Sequence, residues 1–471
     1  MNWQVTAFFT GTIFFLQFLP TDLISVALGS NLLKIALWAG MLGTSIFLLA
    51  ARFRKHGLRV DAPVAFVAIL LLALWAILRT AVDFPVYSYR QTLSLVVLCP
   101  LAALLGSQVA SNKRAFLLTL WGISCVYFLA TCITYASGGL PVLPSGFHIV
   151  FDPWPWEDAW YQNTTLFMGI FAAISWFYLG PCQRRMPVNI AISAAGLIAI
   201  QFLPHLAGRA AILGVLTAAG FCFVASIFLF HRSSNAPRRL RYWAHRTWRP
   251  TVFLAMFLLA LSDPLGVPRS SNSAGNTLIV RRSLNLSDEF DAALDSSDEA
   301  SDEASDDSSD EAAYKGSFRA RLFKTAVSEW TANPSNFIIG SGPQTFPQAF
   351  GRNTEGWYPH NFFLESLCEY GLIGGALILG PFAVFFRRVF GWLAHDRTST
   401  AIPTQGGIVI AIFCGTVASF TGSLSSVWML VFVIFAAMPP SSRAGLSVAR
   451  TSTQPVPSND ANEPAESKQS R

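Results

Sequence analysis

Long apolar stretches, repeated from one end of the chain to the other, constrain this sequence more than any other feature. A helix that crosses a bilayer needs about 20 mostly apolar residues. Twelve segments qualify, near 4–20, 31–51, 62–80, 92–109, 115–136, 163–181, 187–204, 208–230, 250–268, 361–386, 405–421 and 424–439. Helices that are apolar all round belong in a large core or in lipid. Charged residues make up 13% of the chain, against about 25% in an ordinary soluble domain. The expected fold is therefore all-α: a polytopic integral membrane protein with about 12 transmembrane helices and one large extracytoplasmic loop.

Orientation follows from the basic residues, which concentrate in short cytoplasmic loops. The clusters are Arg52, Arg54, Lys55 and Arg59; Lys113 and Arg114; Arg184 and Arg185; the stretch from His231 to Arg249; and Arg387, Arg388 and Arg397. In a twelve-span arrangement all of them share one side. Both termini are then cytoplasmic, and the loops 136–162 and 269–360 face the other way. The N-terminal stretch has no basic leader and no A-x-A cleavage pattern, so it is read as a retained first span. The division is nine N-terminal helices over 1–268, a large loop over 269–360, C-terminal helices over 361–440 and a Pro/Ser/Asn-rich, disordered cytoplasmic tail over 441–471.

The net charge of +6 conceals an uneven distribution. Twelve of the 27 acidic residues fall between Asp288 and Glu311, so the rest of the chain carries 33 Lys and Arg against 15 Asp and Glu, a balance of +18. A basic apolar body suits an anionic membrane. The acidic insert, 287–311, has too little apolar content to fold and reads as a solvated linker. Beyond it, Phe318, Leu322, Phe323, Ala326, Val327 and Trp330 recur at helical spacing, which predicts an amphipathic helix over about 317–331, on the outer membrane face or over a cavity. Gly340, Gly342 and Pro343 then mark a turn. In the smaller loop, Trp154, Trp156, Trp160 and Tyr161 read first as an aromatic belt at the headgroups, ahead of a sugar-stacking platform.

Seven cysteines lie in or beside apolar runs with no CxxC pair among them, which argues against a disulfide framework or a zinc site. P-loop, HExxH and GxSxG signatures are missing, so neither ATP-driven nor metal-hydrolase chemistry finds support, and no cofactor is expected.

Charges within membrane helices are costly and mark function. Asn361, Glu365 and Glu369, spaced i, i+4, i+8, form a polar stripe expected to face a hydrated cavity, with His360 at the helix mouth; the alternative is an interfacial histidine with Glu365 reaching for water. Arg209 is expected in the first turn of its helix, where a cation opposes the dipole unless an anion sits between them; the alternative is an ordinary flanking arginine reaching the headgroups. Arg319 and Arg321 are about 200° apart on the loop helix, so both cannot enter one cavity. His360, Arg209 and these arginines all fall on the extracytoplasmic side, a basic group with one imidazole that suits a diphosphate substrate and a hydroxyl to be activated.

The segment from Arg319 to Gly374 resembles the bacterial O-antigen ligase family, which includes related lipid-linked polysaccharide polymerases. The pattern runs from Arg319 and Phe323 through KTAVSEW to Pro334, Gly340, Gly342 and Phe346, and closes with His360, Asn361, Glu369, Gly371 and Gly374. Arg209, in AGRAAILGV, is similar to the arginine that opens the family's central helix. Phe323 stands where the family usually has tryptophan, and Ala207 and Gly208 where serine is common. The resemblance implies a periplasmic-face glycosyltransferase of the bacterial inner membrane, independent of metal and ATP. It would move a glycan from undecaprenyl diphosphate to an acceptor hydroxyl, with inversion; the acceptor would be a lipid A core, another glycan or a protein, and no nucleic acid is involved. By that resemblance Arg209 and Arg319 hold the diphosphate, His360 is general base or orients the acceptor, and Glu369 or Glu365 fixes its environment. Arg321, Asn361, Glu365 and Glu369 are the candidate substrate-binding residues. A polymerase on the same scaffold is the second reading, and a membrane carrier a remote third.

Overall fold

The computed structural model describes residues 39–54 in part, 60, 62–83, 89–136, 148–149, 159–180, 186–203, 209–231, 248–259, 315–350, 358–395 and 401–439. The expected first span, the tryptophans at 154 and 156, the acidic insert and the C-terminal tail lie outside the described residues.

The described chain is helical, apart from a two-residue antiparallel pair in which His148 faces Trp160 and Ile149 faces Ala159. Helix α1 covers Pro63–Asp83, α2 residues 89–109, α3 Lys113–Ala136, α4 residues 161–179, α5 Met186–Phe202 and α6 Arg209–His231. A shorter apolar helix, α7, covers Trp248–Leu259. Then come α8 (Lys315–Thr331), α9 (Pro334–Ile339), α10 (Phe346–Ala349), α11 (Phe362–His395), α12 (Ala401–Thr421) and α13 (Val427–Ala437). Among the described residues five helices are long and apolar enough to cross a membrane: α1, α2, α3, α11 and α12. The loop helix α8 begins two residues before its expected start and ends where the spacing predicted.

Helix α1 carries two apolar stripes. Ala65, Ile69, Leu72, Ala76 and Arg79 form a buried stripe, while Val64, Val67, Leu71, Leu74, Leu78 and Val82 form a second apolar stripe that is exposed. Water would penalise that outer stripe, whereas acyl chains accept it. Small residues on the inner stripe let α11 approach closely, as in membrane bundles.

Side-chain contacts fix the directions of the helices. Trp75 meets Tyr370 and Gly380 faces Ala68, so α1 and α11 are antiparallel. Ser94 bonds to Leu424 while Gly106 lies against Phe432 and Phe435, so α2 and α13 run parallel. Tyr127 stacks on Phe167 and Phe128 on Phe171, with Trp121 donating to Ser175, an antiparallel α3–α4 pair. These directions gather at one end of the bundle the end of α1, the start of α2, the start of α11 and the turn between α12 and α13.

Candidate functional site

Helix α11 is broken at Gly371, whose φ of 67° and ψ of −167° fall in a region only glycine occupies readily. A break leaves the carbonyls of the preceding turn without their intrahelical donors. Three of them find others. Ser341 N–H donates to the Cys368 carbonyl at 2.9 Å and Gly342 N–H to that of Glu369 at 3.1 Å, while Trp75 Nε1 donates to the Tyr370 carbonyl at 3.1 Å. Gly340, with φ 83° and ψ 169°, adopts the same kind of conformation from the opposite side. A methyl on Gly340 would strike the backbone of Glu369 and Tyr370, and one on Gly371 would strike the Ile338 carbonyl and Gly340 N. Arg79 Nη2 closes the contact by donating to the Gly340 carbonyl at 3.1 Å. Two glycine motifs that lie 31 residues apart in the chain thus form one backbone interlock.

The carboxylates of the same turn hold the surroundings together. Glu369 is buried and accepts from Gln91 Nε2 at 2.6 Å and from the backbone N–H groups of Gln344 and Phe346. Glu365, also buried, accepts from Leu424 N–H at 2.9 Å, from Ser423 Oγ at 3.2 Å and from Gln91 Nε2 at 3.5 Å. The stripe expected to face a hydrated cavity is therefore packed against protein. The reasons are the segment 334–350, which folds over the start of α11 beside Glu369, and Gln91 with the turn between α12 and α13, which enclose Glu365. Asn361 extends this ordering to the helix start, where its Oδ1 accepts from the N–H groups of Phe363 and Leu364 at 3.0 and 2.9 Å as an N-cap.

His360 stands at the mouth of this turn, half-buried. Its ring lies 4.4 Å from that of Tyr358, and its φ of 54° is a conformation that costs a non-glycine residue about 1–2 kcal/mol. Its surroundings must supply that energy. On α8, Leu322 and Ala326 bury themselves against Phe346 and Cys368, whereas Arg321 is exposed with its guanidinium 5.7 Å from the Phe350 ring. Position 319 precedes Leu322 by three and Ala326 by seven, so its backbone register belongs beside the buried stripe and that of 321 does not.

Arg209 is the first residue of α6, as expected. Gly214 lies against Phe413 and Cys222 bonds to Gln405, so α6 runs antiparallel to α12. Its start lies at the end where α12 gives way to Ser423 and Leu424, the partners of Glu365. The end of the bundle that carries His360, Asn361, Glu365 and Glu369 also carries the start of the Arg209 helix and the docked α8.

Trp75, Arg79, Gln91 and Ser423 were not singled out from sequence. Arg79 had a signal, since an arginine inside an apolar run demands a buried partner; the others had none. An apolar groove of about 730 Å³ lies between α6, α11, α12 and α13, lined by Phe221, Phe385, Phe386 and Phe390 among others. Among the described residues no three His, Cys, Asp or Glu side chains gather as a metal site. No family model matches the chain, and no curated protein matches it.

Proposed function

We propose that this chain is a glycan ligase of the bacterial inner membrane, with twelve spans and its site facing the periplasm. The donor is a glycan on undecaprenyl diphosphate and the acceptor a hydroxyl of a lipid A core, another glycan or a protein. The observation that carries the reading is the interlock of the Gly340 and Gly371 turns beside His360, which joins in space the motif pieces on which the family resemblance rests.

In this reading the acceptor oxygen attacks the anomeric carbon from the face opposite the diphosphate. Its proton passes to the His360 imidazole, the bond from carbon to diphosphate oxygen breaks, and the configuration inverts. Arg209 and Arg319 neutralise the leaving diphosphate, a role in which one well-placed donor is typically worth about 10² to 10³ in rate. Glu365, Glu369 and Asn361 act as positioning residues that fix the turn bearing His360, and Arg321 meets substrate or headgroup at the rim. The released diphosphate supplies the driving force, so neither nucleotide nor metal is needed.

A broken helix beside buried carboxylates is also a feature of carriers. Here the carbonyls freed at Gly371 are already occupied by Ser341, Gly342 and Trp75, which favours a structural break over an ion site. The test is the glycan profile of a strain lacking the protein. A ligase leaves long chains on undecaprenyl diphosphate and a bare acceptor. An acceptor capped with one repeat unit assigns a polymerase instead, and lipid-linked units retained on the cytoplasmic side overturn the transferase reading.

A further inference from the structure

Helix α8 presents three faces, not two. At about 100° per residue, Leu322 and Ala326 fall on one side and are buried against Phe346 and Cys368. Roughly a quarter turn away, Phe323, Val327 and Trp330 align as a second apolar stripe that is exposed or half-exposed. Lys324, Ser328, Thr331 and Arg321 cover the remaining arc and are exposed to solvent. The second stripe continues into α9, because Trp330 stacks on Phe337 at 4.9 Å, and Phe337 and Ile338 are themselves exposed.

A soluble loop would not display such a ridge. Its position explains it. The Ile338 carbonyl abuts Gly371, and the next two residues of α11, Leu372 and Ile373, are exposed apolar positions on a membrane-length helix. Arg79 holds Gly340, at the end of α9, and the exposed apolar stripe of α1 continues past that level to Val82. The ridge is thus continuous with the surface that the spanning helices present to lipid, and the polar arc faces away from it.

We propose that α8 and α9 form an interfacial anchor, a hairpin lying in the outer leaflet with Phe323, Val327, Trp330, Phe337 and Ile338 in the acyl layer and the Arg321–Lys324–Ser328 side toward water. The irregular backbone at Gly340–Gly342 is tolerated at that depth because it is covered by α11 and its groups are bonded there. Position 319 then falls on the arc between the face packed on the bundle and the ridge in lipid.

The experiment places nitroxides at Val327→Cys, Ile338→Cys, Lys324→Cys and Ser328→Cys, in a chain with the seven native cysteines replaced, in phosphatidylethanolamine/phosphatidylglycerol vesicles. Labels at 327 and 338 are expected to relax strongly with oxygen and at least about fivefold less than 324 and 328 with a water-soluble nickel chelate. Equal chelate access at all four sites overturns the anchor. So does exclusion of both relaxants at 327 and 338, which means that a protein partner or second copy covers the ridge. The unaltered protein gives an independent reading with a phospholipid carrying a mid-chain diazirine. Acyl adducts on 323–338 are expected beside those on the Leu372 and Leu74 surface, and adducts on that surface without any on 323–338 refute the proposal.

Discussion

Replacing Gly371 with alanine tests whether the backbone interlock holds the site together. Alanine at φ 67°, ψ −167° carries a strain of about 1–3 kcal/mol. Its methyl also meets the Ile338 carbonyl and Gly340 N, so the 338–342 segment must withdraw, giving up the bonds from Ser341 to Cys368 and from Gly342 to Glu369 at about 0.5–1.5 kcal/mol each. Together the change costs about 2–6 kcal/mol, and the lower bound alone raises the population with the hairpin undocked about 30-fold. Cys368 reports that opening, since it is buried beneath Leu322, Ala326 and Phe346. With the other six cysteines replaced, labelling of Cys368 by a small permeant maleimide is expected to accelerate at least tenfold in Gly371→Ala. Gly220→Ala, a position with open space around it, serves as control and leaves the rate unchanged. Unaltered Cys368 protection in a stably inserted Gly371→Ala protein would refute the interlock.

Three further outcomes are expected, two from the same geometry and one from the distribution of basic residues along the sequence. His360→Gly removes a strain of about 1–2 kcal/mol, so thermal stability in nanodiscs holds or rises while transfer falls by at least about 10²; a loss of stability in parallel with activity would make His360 a packing residue. Glu369→Ala strands the N–H groups of Gln344 and Phe346 at about 1–3 kcal/mol each and is expected to accelerate Cys368 labelling, whereas Arg321→Ala leaves both labelling and transfer within a few-fold. Impermeant maleimide in outer-permeabilised cells should label Ser297→Cys and spare Ser234→Cys; the reverse pattern would invert the topology.

The parts of this fold that were legible in sequence are those written in local composition. Helix α8 declared itself through the spacing of Leu322, Ala326 and Trp330, and Arg209 through its place at the head of an apolar run. The break at Gly371 was hidden because hydropathy sums side chains and takes no account of φ and ψ, and Phe362–Ala394, at a mean hydropathy of 1.6, reads as one span across it. The stripe of Asn361, Glu365 and Glu369 was visible, but its surroundings were not. Those come from Gln91, Ser423 and the 340–346 turn, groups brought in by tertiary packing over separations of up to 278 residues. Arg79 lay between, since an arginine inside an apolar run calls for a buried partner while nothing local pointed to the Gly340 carbonyl.

The most direct test of the ligase reading is reconstitution. Purified protein in vesicles, given undecaprenyl-diphosphate-linked glycan and a lipid A core acceptor with no nucleotide and with chelator present, is predicted to form acceptor-linked glycan with inverted anomeric configuration. His360→Ala is predicted to bind the donor equally and transfer at least about 10² more slowly. Donor chains that lengthen on the lipid carrier while the acceptor stays bare, or equal transfer by wild type and His360→Ala, would contradict it.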